Sequence, residues 1–186
     1  MTDKKQIIVM MGGAGVGKGT FSKMLMAQRP FSYIETGALL RSAPSGSEIA
    51  QTLATGNLVS DALVCDLIQS KITPTQNIIL DGFPRNLYQA QWLIKNYSDT
   101  YDIHVLFLDV PRDVMIARIN KRLNEGSTRN DDASSATINH RLETFDNITM
   151  PAIKWLQTAP NIAFSRIDAT GTATDNFQDI LNALNM

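Results

Sequence analysis

A glycine-rich segment, Gly12 to Thr20, follows an apolar run, Ile7 to Met11, with no linker between them. Residues with the apolar spacing of a helix come directly after it, beginning at Phe21. Glycines let the backbone fold around an anion with its N–H groups pointing inward, and the helix that follows adds the positive end of its dipole. A strand, an anion-binding loop and a helix are therefore predicted in that order.

The loop has the pattern GxxxxGK, with the hydroxyl residue displaced by one position to Thr20. In loops of this kind the lysine, here Lys18, reaches the β and γ phosphates of a nucleotide, and the hydroxyl serves a magnesium ion. The alternative is an ordinary glycine-rich turn. The strand, the lysine and the helix together favour phosphate binding.

Apolar runs without helical period recur along the chain and alternate with segments of helical period, which predicts a parallel sheet covered by helices on both faces. The predicted fold class is a three-layer α/β P-loop NTPase fold with a five-stranded parallel sheet. After the first run, the predicted strands are Tyr33 to Ile34, Ile78 to Leu80, Ile103 to Leu108 and Ile162 to Ile167. The helical stripes are Phe21, Met24 and Leu25; Leu87, Ala90 and Ile94; and Ile116, Ile119 and Leu123.

The 186 residues suit a single domain, 1–186, with two inserts after strand ends. Residues 36–70 have helical pattern with no strand, and residues 123–135 are polar and without period. The core would then comprise 1–35, 71–122 and 136–186. Inserts in these places are candidate substrate clamps or lids.

The net charge of −1 excludes the broad positive field that non-specific binding to nucleic acid or an anionic membrane needs. One cysteine, Cys65, excludes an intramolecular disulfide and any zinc site built from two or more cysteines of this chain. No segment approaches the length of a membrane span, and the first apolar run is too short for a signal peptide. We expect a cytoplasmic protein without zinc.

A second polar cluster, Asp81 to Arg85, follows the strand that ends at Leu80. A carboxylate at that edge of a parallel sheet lies near the first loop and can hold magnesium, mainly through water. Arg85 would project into the same crevice. The alternative is a strand-terminating turn with a solvated arginine.

Four arginines form a third group, Arg118, Arg122, Arg129 and Arg141. The first two are four apart and share a helix face directed away from the apolar stripe. A solvated face is the usual explanation, but arginine at all four positions favours phosphate, which its planar fork binds bidentately. A phosphate loop and several arginines suffice for phosphoryl transfer to a phosphate acceptor, which needs no general base. His104 and His140 are then structural or solvated.

Taken together, these motifs make the chain resemble the adenylate kinase group of nucleoside monophosphate kinases over nearly its whole length. The segments that carry the resemblance are Gly12 to Thr20, Thr36 to Arg41, Gly56 to Val59, Asp81 to Arg85 with Gln89, and Asp168 to Gly171. It departs from that family at Ala38, where aspartate is common, and at Ser127 to Arg129, where short lids usually have Ser-Gly-Arg.

The resemblance implies reversible, Mg²⁺-dependent transfer of the ATP γ-phosphate to AMP, giving two ADP, by a monomer that maintains adenine nucleotide balance. Residues 36–70 become the monophosphate-binding insert and 123–135 a short lid. Implied ATP contacts are Gly15, Val16, Gly17, Lys18, Gly19, Thr20, Arg118 and Gly171. Implied AMP contacts are Thr36, Arg41, Asn57, Leu58, Val59, Gly82, Phe83, Pro84, Arg85, Gln89, Arg129 and Arg141. Of these, Arg41 and Arg85 would bind the acceptor phosphate, and Thr36 and Gln89 would contact its base. Implied catalytic residues are Lys18, Arg85, Arg122, Arg129 and Arg141, and Thr20 and Asp81 would serve the metal.

Two alternatives remain. A UMP/CMP kinase is disfavoured by Thr36 and by Gln89, because that group usually has asparagine at the second position. A nucleotide sensor without catalysis would be expected to have lost at least one phosphate-facing arginine, and none is missing.

Overall fold

The computed structural model describes residues 4–54, 59–125 and 135–186. Five strands form one parallel sheet in the order β2-β3-β1-β4-β5. They are β1 (Lys5–Met11), β2 (Ser32–Glu35), β3 (Ile78–Asp81), β4 (Tyr101–Asp109) and β5 (Ile162–Asp168). Each predicted apolar run lies inside one of these strands, so the predicted fold class is confirmed.

Helices cover both faces of the sheet. The helices of the described ranges are α1 (Lys18–Gln28), α2 (Thr36–Arg41), α3 (Glu48–Ala54), α4 (Asp61–Gln69), α5 (Leu87–Tyr97), α6 (Arg112–Asn124), α7 (Ser135–Thr144), α8 (Met150–Leu156) and α9 (Ala173–Ala183). A π-helical turn, Phe145–Thr149, joins α7 to α8. Side chains of Ser60, Asn86 and Thr172 cap α4, α5 and α9, as short polar residues do at helix starts.

The core has two layers because strand residues alternate between the faces of the sheet. From β1, Ile7 and Val9 pack in the layer that also contains α4, α5 and α8. Ile8 and Met10 pack in the opposite layer with α1, α6, α7 and α9. The central strand β1 is fully covered on both faces, which explains its continuous apolar run.

Two predicted helix stripes differ from the observed buried faces. Leu87 is 39% exposed at the start of α5, and Leu93 is buried in its place. In α6 the buried residues are Met115 and Ile119. Leu87 is the first residue of α5, at the end of the helix. In α6 the displacement is one residue, from Ile116 to Met115, and helical side chains that point back toward the N-terminal turn produce a shift of this size.

Residues 36–70 contain α2, α3 and α4 and, in their described part, no strand, as their pattern predicts. A hydrogen bond from the backbone N–H of Ser47 to the carbonyl oxygen of Pro44, 3.0 Å long, closes a turn between α2 and α3. Among the helices of the described ranges, none combines the length and apolar character that crossing a membrane requires.

Candidate active site

The loop between β1 and α1 has a backbone that requires glycine at two positions in particular. Gly17 has φ 101° at the start of α1, and a Cβ there would lie 2.9 Å from the ring of Phe21. Gly15 has φ 79°, and a Cβ there would lie 3.0 Å from the carbonyl oxygen of Met115 in α6. The positive φ values turn the chain sharply at the start of the helix, where its unpaired N–H groups can bind an anion.

Lys18 begins α1 and bends back across this loop. Its Nζ donates hydrogen bonds of 2.8 Å to the carbonyl oxygens of both Gly12 and Gly13. These bonds fix the ammonium group over the loop. A phosphate on the loop would therefore meet a lysine that is already in position.

The loop opens into a cleft of about 440 Å³ at the carboxyl ends of the strands. Arg118 and Arg122 of α6 and Arg141 of α7 line this cleft together with Lys18 and Thr20. The structure thus brings three of the four predicted arginines, from the consecutive helices α6 and α7, to the phosphate loop. Their positive charges, concentrated in one cleft, suit a polyphosphate.

Arg118 also contacts the loop after β5. Its Nη2 donates to the carbonyl oxygens of Ala169 at 2.8 Å and Thr170 at 3.3 Å. Within the loop, the side chain and amide of Thr170 donate to Asp168, and these bonds lower the pKa of that carboxyl group. Asn176 of α9 donates to the carbonyl oxygen of Gly171 at 3.1 Å. Hydrogen bonds from two helices therefore hold this loop beside the cleft.

Asp81 and Thr20, the two residues predicted to serve the metal, both line the cleft. Asp81 ends β3 and is 6% exposed. Its Oδ2 accepts a 2.8 Å hydrogen bond from the hydroxyl of Tyr33 in β2. The same oxygen lies 3.9 Å from the position that a Cβ on Gly19 would occupy, at the first turn of α1. The carboxylate is thus held close to the phosphate loop in one orientation.

Arg41 and Arg85, predicted to bind the acceptor phosphate, contact protein groups. Arg41 Nη2 lies 3.4 Å from Oε1 of Glu35, which is in register with Asp81 and lines the cleft. The Nε of Arg85 donates to the carbonyl oxygen of Gly82 at 3.0 Å, within the turn that contains the cis peptide Phe83–Pro84. The residues lining the cleft do not include either arginine.

The two residues predicted to contact the acceptor base are buried. Thr36 is 1% exposed, and its Oγ1 has no hydrogen-bond partner among the described residues. Gln89 is 4% exposed and is hydrogen-bonded at both ends of its amide. A buried hydroxyl without a partner is costly, so the Thr36 side chain is a candidate for a contact that a ligand completes.

Comparison with known proteins bears directly on this cleft. The model of the adenylate kinase family matches residues 10–160, which include the phosphate loop, Asp81 and all three lining arginines. The chain belongs to the adenylate kinase family. It is therefore a nucleotide-binding enzyme of the kinase class.

Individual adenylate kinases match over nearly the whole chain. The adenylate kinase of Xylella fastidiosa strain M23 is 34% identical, over 95% of this chain and 98% of its own length. Those of Thermus thermophilus and Bacteroides thetaiotaomicron are 31% and 33% identical, over 98% and 95% of this chain and 98% and 97% of their own lengths.

The cleft accounts for only part of the residues expected from the resemblance to adenylate kinases. Arg129, Asn57 and Leu58 lie outside the described residues. Val59 is half-buried against the core, and Phe83 is a core residue, 1% exposed, whose ring packs edge-on against Trp92. The Phe83 ring is therefore committed to packing, which leaves only its backbone for contact with a ligand.

Sequence reasoning missed three cleft residues, Lys23, Tyr33 and Glu35. Lys23 follows Gly19 by one helical turn, and the residues of β2 end at the same sheet edge as Asp81. Helical spacing and the shared edge were signals that could have found them.

The other ionisable groups considered from the sequence lie away from the cleft. His104 is half-buried in β4, where its Nε2 is 2.9 Å from the Ser165 hydroxyl and burial lowers its pKa. Cys65 is buried in α4, and burial, with Asp61 and Asp66 nearby, raises its pKa to about 11. Such a thiol is protonated and inert at neutral pH, in keeping with a packing role.

Proposed function

We propose that this protein catalyses reversible transfer of the γ-phosphoryl group of ATP to AMP, giving two molecules of ADP. The observation that carries the proposal is the convergence of the phosphate loop, Lys18 and three arginines on one cleft. The name of the relatives from Xylella, Thermus and Bacteroides agrees with it.

In this reaction an oxygen of the AMP phosphate forms a bond to the γ phosphorus of ATP. The bond from that phosphorus to the bridging oxygen breaks, and the bridging oxygen leaves with its electron pair on the first ADP. The attacking oxygen is already ionised at neutral pH, so no general base is required. The protein's work is to align the two phosphates and to place positive charge around the transferred group.

On the donor side, the backbone amides of Gly15 to Thr20 would hold the β and γ phosphates, with Lys18 above them. Arg122 and Arg141 would contact the transferred group, with Arg129 as a further contact. Arg118 would stack on the donor base, and Gly171 would contact the same base. Arg118 is hydrogen-bonded to Ala169, in the same loop as Gly171. The support is the shared cleft of the loop and the described arginines.

On the acceptor side, Arg41 and Arg85 would bind the AMP phosphate. The base would meet Thr36, Gln89 and the segments Asn57 to Val59 and Gly82 to Pro84. The buried Thr36 hydroxyl, which lacks a partner in the described chain, supports a ligand at this place. Arg41 and Arg85 would exchange their protein contacts for the phosphate.

The oxygen donors at the cleft fit a magnesium ion bound with ATP. Magnesium prefers oxygen ligands and keeps several waters, so one or two protein groups suffice. Asp81 and Thr20 both line the cleft, and the Tyr33 hydroxyl fixes the Asp81 carboxylate. A bound ion would offset negative charge on the β and γ phosphates.

We further propose that residues 36–70 form a monophosphate-binding insert and residues 123–135 a short lid, around a core of 1–35, 71–122 and 136–186. Closure of both over the substrates would exclude water, which would otherwise accept the phosphoryl group and waste ATP. In the cell, the activity would serve adenine nucleotide biosynthesis and balance. We propose that the protein is a cytoplasmic monomer. Its partners would be small molecules, because a near-neutral net charge does not favour binding to nucleic acid or a membrane surface.

A coupled assay of ADP formation tests this proposal. With ATP and Mg²⁺, AMP should be the preferred acceptor in a panel with UMP, CMP and GMP, and omission of Mg²⁺ should abolish turnover. Preference for UMP or CMP would assign the protein to the neighbouring pyrimidine kinases. Nucleotide binding without ADP formation would indicate a sensor.

A further inference from the structure

The side-chain amide of Gln89 is held at both ends. Its Oε1 accepts a 2.8 Å hydrogen bond from the backbone N–H of Arg85, and its Nε2 donates one of 2.8 Å to Oδ1 of Asp61. The side chain is 4% exposed, so water does not readily replace either partner.

The chemistry of the two partners permits only one orientation of this amide. A backbone N–H can only donate, which requires the oxygen of Gln89 on the Arg85 side. A carboxylate can only accept, which requires the NH₂ group on the Asp61 side. Rotation of the amide by about 180° would place its NH₂ group against the backbone N–H of Arg85 and its oxygen against the Asp61 carboxylate. The site is buried, where unpaired polar groups are most costly.

Asp61 is placed to do this because it begins α4, in the insert, whereas Gln89 is on α5 of the core. Asn86 supports the arrangement: its Nδ2 donates to the same Oδ1 of Asp61 at 2.8 Å, and its Oδ1 accepts from the backbone N–H of Gln89 at 2.9 Å. One carboxylate oxygen thus links the insert to two side chains of α5.

We propose that Asp61 is a specificity-determining positioning residue, which fixes the Gln89 amide in the orientation that accepts adenine and rejects hypoxanthine and guanine. The inference rests on the proposed function, in which Gln89 meets the acceptor base. Asp61 touches no substrate in this role and acts through Gln89.

The two kinds of purine present opposite patterns on the edge formed by positions 1 and 6. Adenine has an acceptor at N1 and a donor at its 6-amino group, whereas hypoxanthine and guanine have a donor at N1 and an acceptor at O6. After its bonds to Asp61 and Arg85, the Gln89 amide retains one N–H on nitrogen and one lone pair on oxygen. These match N1 and the 6-amino group of adenine. Only the reversed amide matches the other purines.

A comparison of two AMP analogues tests the proposal in the unaltered protein. Purine riboside 5′-monophosphate keeps the N1 acceptor and lacks the 6-amino group, whereas IMP presents N1–H and O6. With purine riboside monophosphate, a fixed Gln89 amide makes one hydrogen bond fewer than with AMP. With IMP, its N–H would face the N1–H donor and its oxygen would face the O6 acceptor. The kcat/KM for IMP should then be about tenfold or more below that for purine riboside monophosphate. An amide that turns freely would favour IMP instead, and that order would overturn the proposal.

Three variants locate the effect at Asp61. Asp61→Ala should raise the ratio of kcat/KM for IMP to that for AMP about tenfold, because the carboxylate that opposes amide reversal is gone. In Asp61→Asn the new side chain can present either its oxygen or its NH₂ group to Gln89, so reversal is opposed only by the bond from Asn86, and the ratio should rise, though less than in Asp61→Ala. Asn86→Ser is the matched control. It removes the hydrogen bond from Asn86 to Asp61 but keeps both side-chain hydrogen bonds of Gln89, and serine can still cap α5.

An unchanged ratio in Asp61→Ala, or an equal rise in Asn86→Ser, would show that Asp61 only ties α4 to α5. Calorimetric binding of IMP and purine riboside monophosphate should follow the same order as kcat/KM. If Asp61→Ala does not fold, Asp61→Asn decides, because asparagine has nearly the same volume and can also donate to a reversed amide: an unchanged ratio in that variant would overturn the proposal. Failure of the proposed function is separate: the unaltered protein would then form no ADP from AMP and ATP, whatever the order of analogue binding.

Discussion

The proposed donor and acceptor ends of the site are built in different ways. At the donor end, glycine backbone conformation shapes the loop, and Lys18 is held by carbonyl groups of that same loop. At the acceptor end, side chains hold one another across elements: Arg41 contacts Glu35, and Gln89 contacts Asp61. The first arrangement lies within one loop, and the second joins different helices and strands.

This difference indicates how each end meets its ligand. The donor loop is in place before a triphosphate arrives, so its interactions can act fully on the phosphates of the transition state. The proposed acceptor groups would have to exchange protein contacts for ligand contacts, which would lower net affinity for the acceptor. Substitutions at the donor end should therefore reduce mainly kcat. Substitutions at the acceptor end should also change KM for AMP.

The largest effect is expected for Lys18→Ala, which removes the ammonium group over the phosphate loop. Turnover should fall about 10³-fold or more, as for other charged groups on a transferred phosphoryl group, while KM for AMP changes little. Steady-state kinetics of ADP formation checks this. The unfolding midpoint should change by no more than about 4 °C, the shift that 1 kcal/mol gives in a domain of this size. Near-normal turnover would remove Lys18 from the catalytic group.

Arg85→Ala is the corresponding change at the acceptor end. Its kcat should fall about 10²- to 10³-fold, the usual cost of one lost donor to a developing charge, and KM for AMP should also rise. The comparison of the two ends would be wrong if Lys18→Ala raised KM for AMP and Arg85→Ala raised only KM for ATP.

A smaller effect is expected for Tyr33→Phe, which removes the hydroxyl that donates to Asp81. The Mg²⁺ concentration for half-maximal rate should rise about 10-fold, because groups that orient a metal-binding carboxylate tune its affinity. A Mg²⁺ titration at fixed ATP checks this, with Tyr97→Phe as a matched control remote from the cleft. Unchanged Mg²⁺ dependence would show that Asp81 needs no support from β2.

The order of strands and helices was predictable from sequence because β1, β3 and β4 are buried on both faces, which leaves apolar runs that no amphipathic helix has. The donor loop was predictable for a related reason. Its chemistry is carried by consecutive residues, so spacing along the chain is also spacing in the site.

The contacts that join distant segments could not be read in this way. Tyr33 and Asp81 are 48 residues apart, and Asp61 and Gln89 are 28 apart. The pairing of β2 with β3 sets the first contact, and the docking of α4 on α5 allows the second. The sequence pattern placed Tyr33 in a strand, but only the strand order shows that its neighbour is β3.

The smallest effect is expected at Glu35, whose carboxylate contacts Arg41 and ends β2 in register with Asp81. The Arg41 side chain is 57% exposed, and such pairs contribute at most about 1 kcal/mol. Glu35→Gln should nevertheless lower KM for AMP about 2- to 5-fold, since the change removes both a competitor for Arg41 and a negative charge near the acceptor phosphate. The kcat should change little.

Kinetics with AMP at low and high ionic strength separates the two possible roles of Glu35. If the carboxylate competes with AMP, the gain from Glu35→Gln should shrink as salt screens the charges. Asp66→Asn, which neutralises an exposed carboxylate of α4 outside the cleft, should leave KM for AMP unchanged. A rise in KM for Glu35→Gln would mean that Glu35 holds Arg41 in the orientation that AMP requires, and the acceptor end would then be preformed as the donor end is.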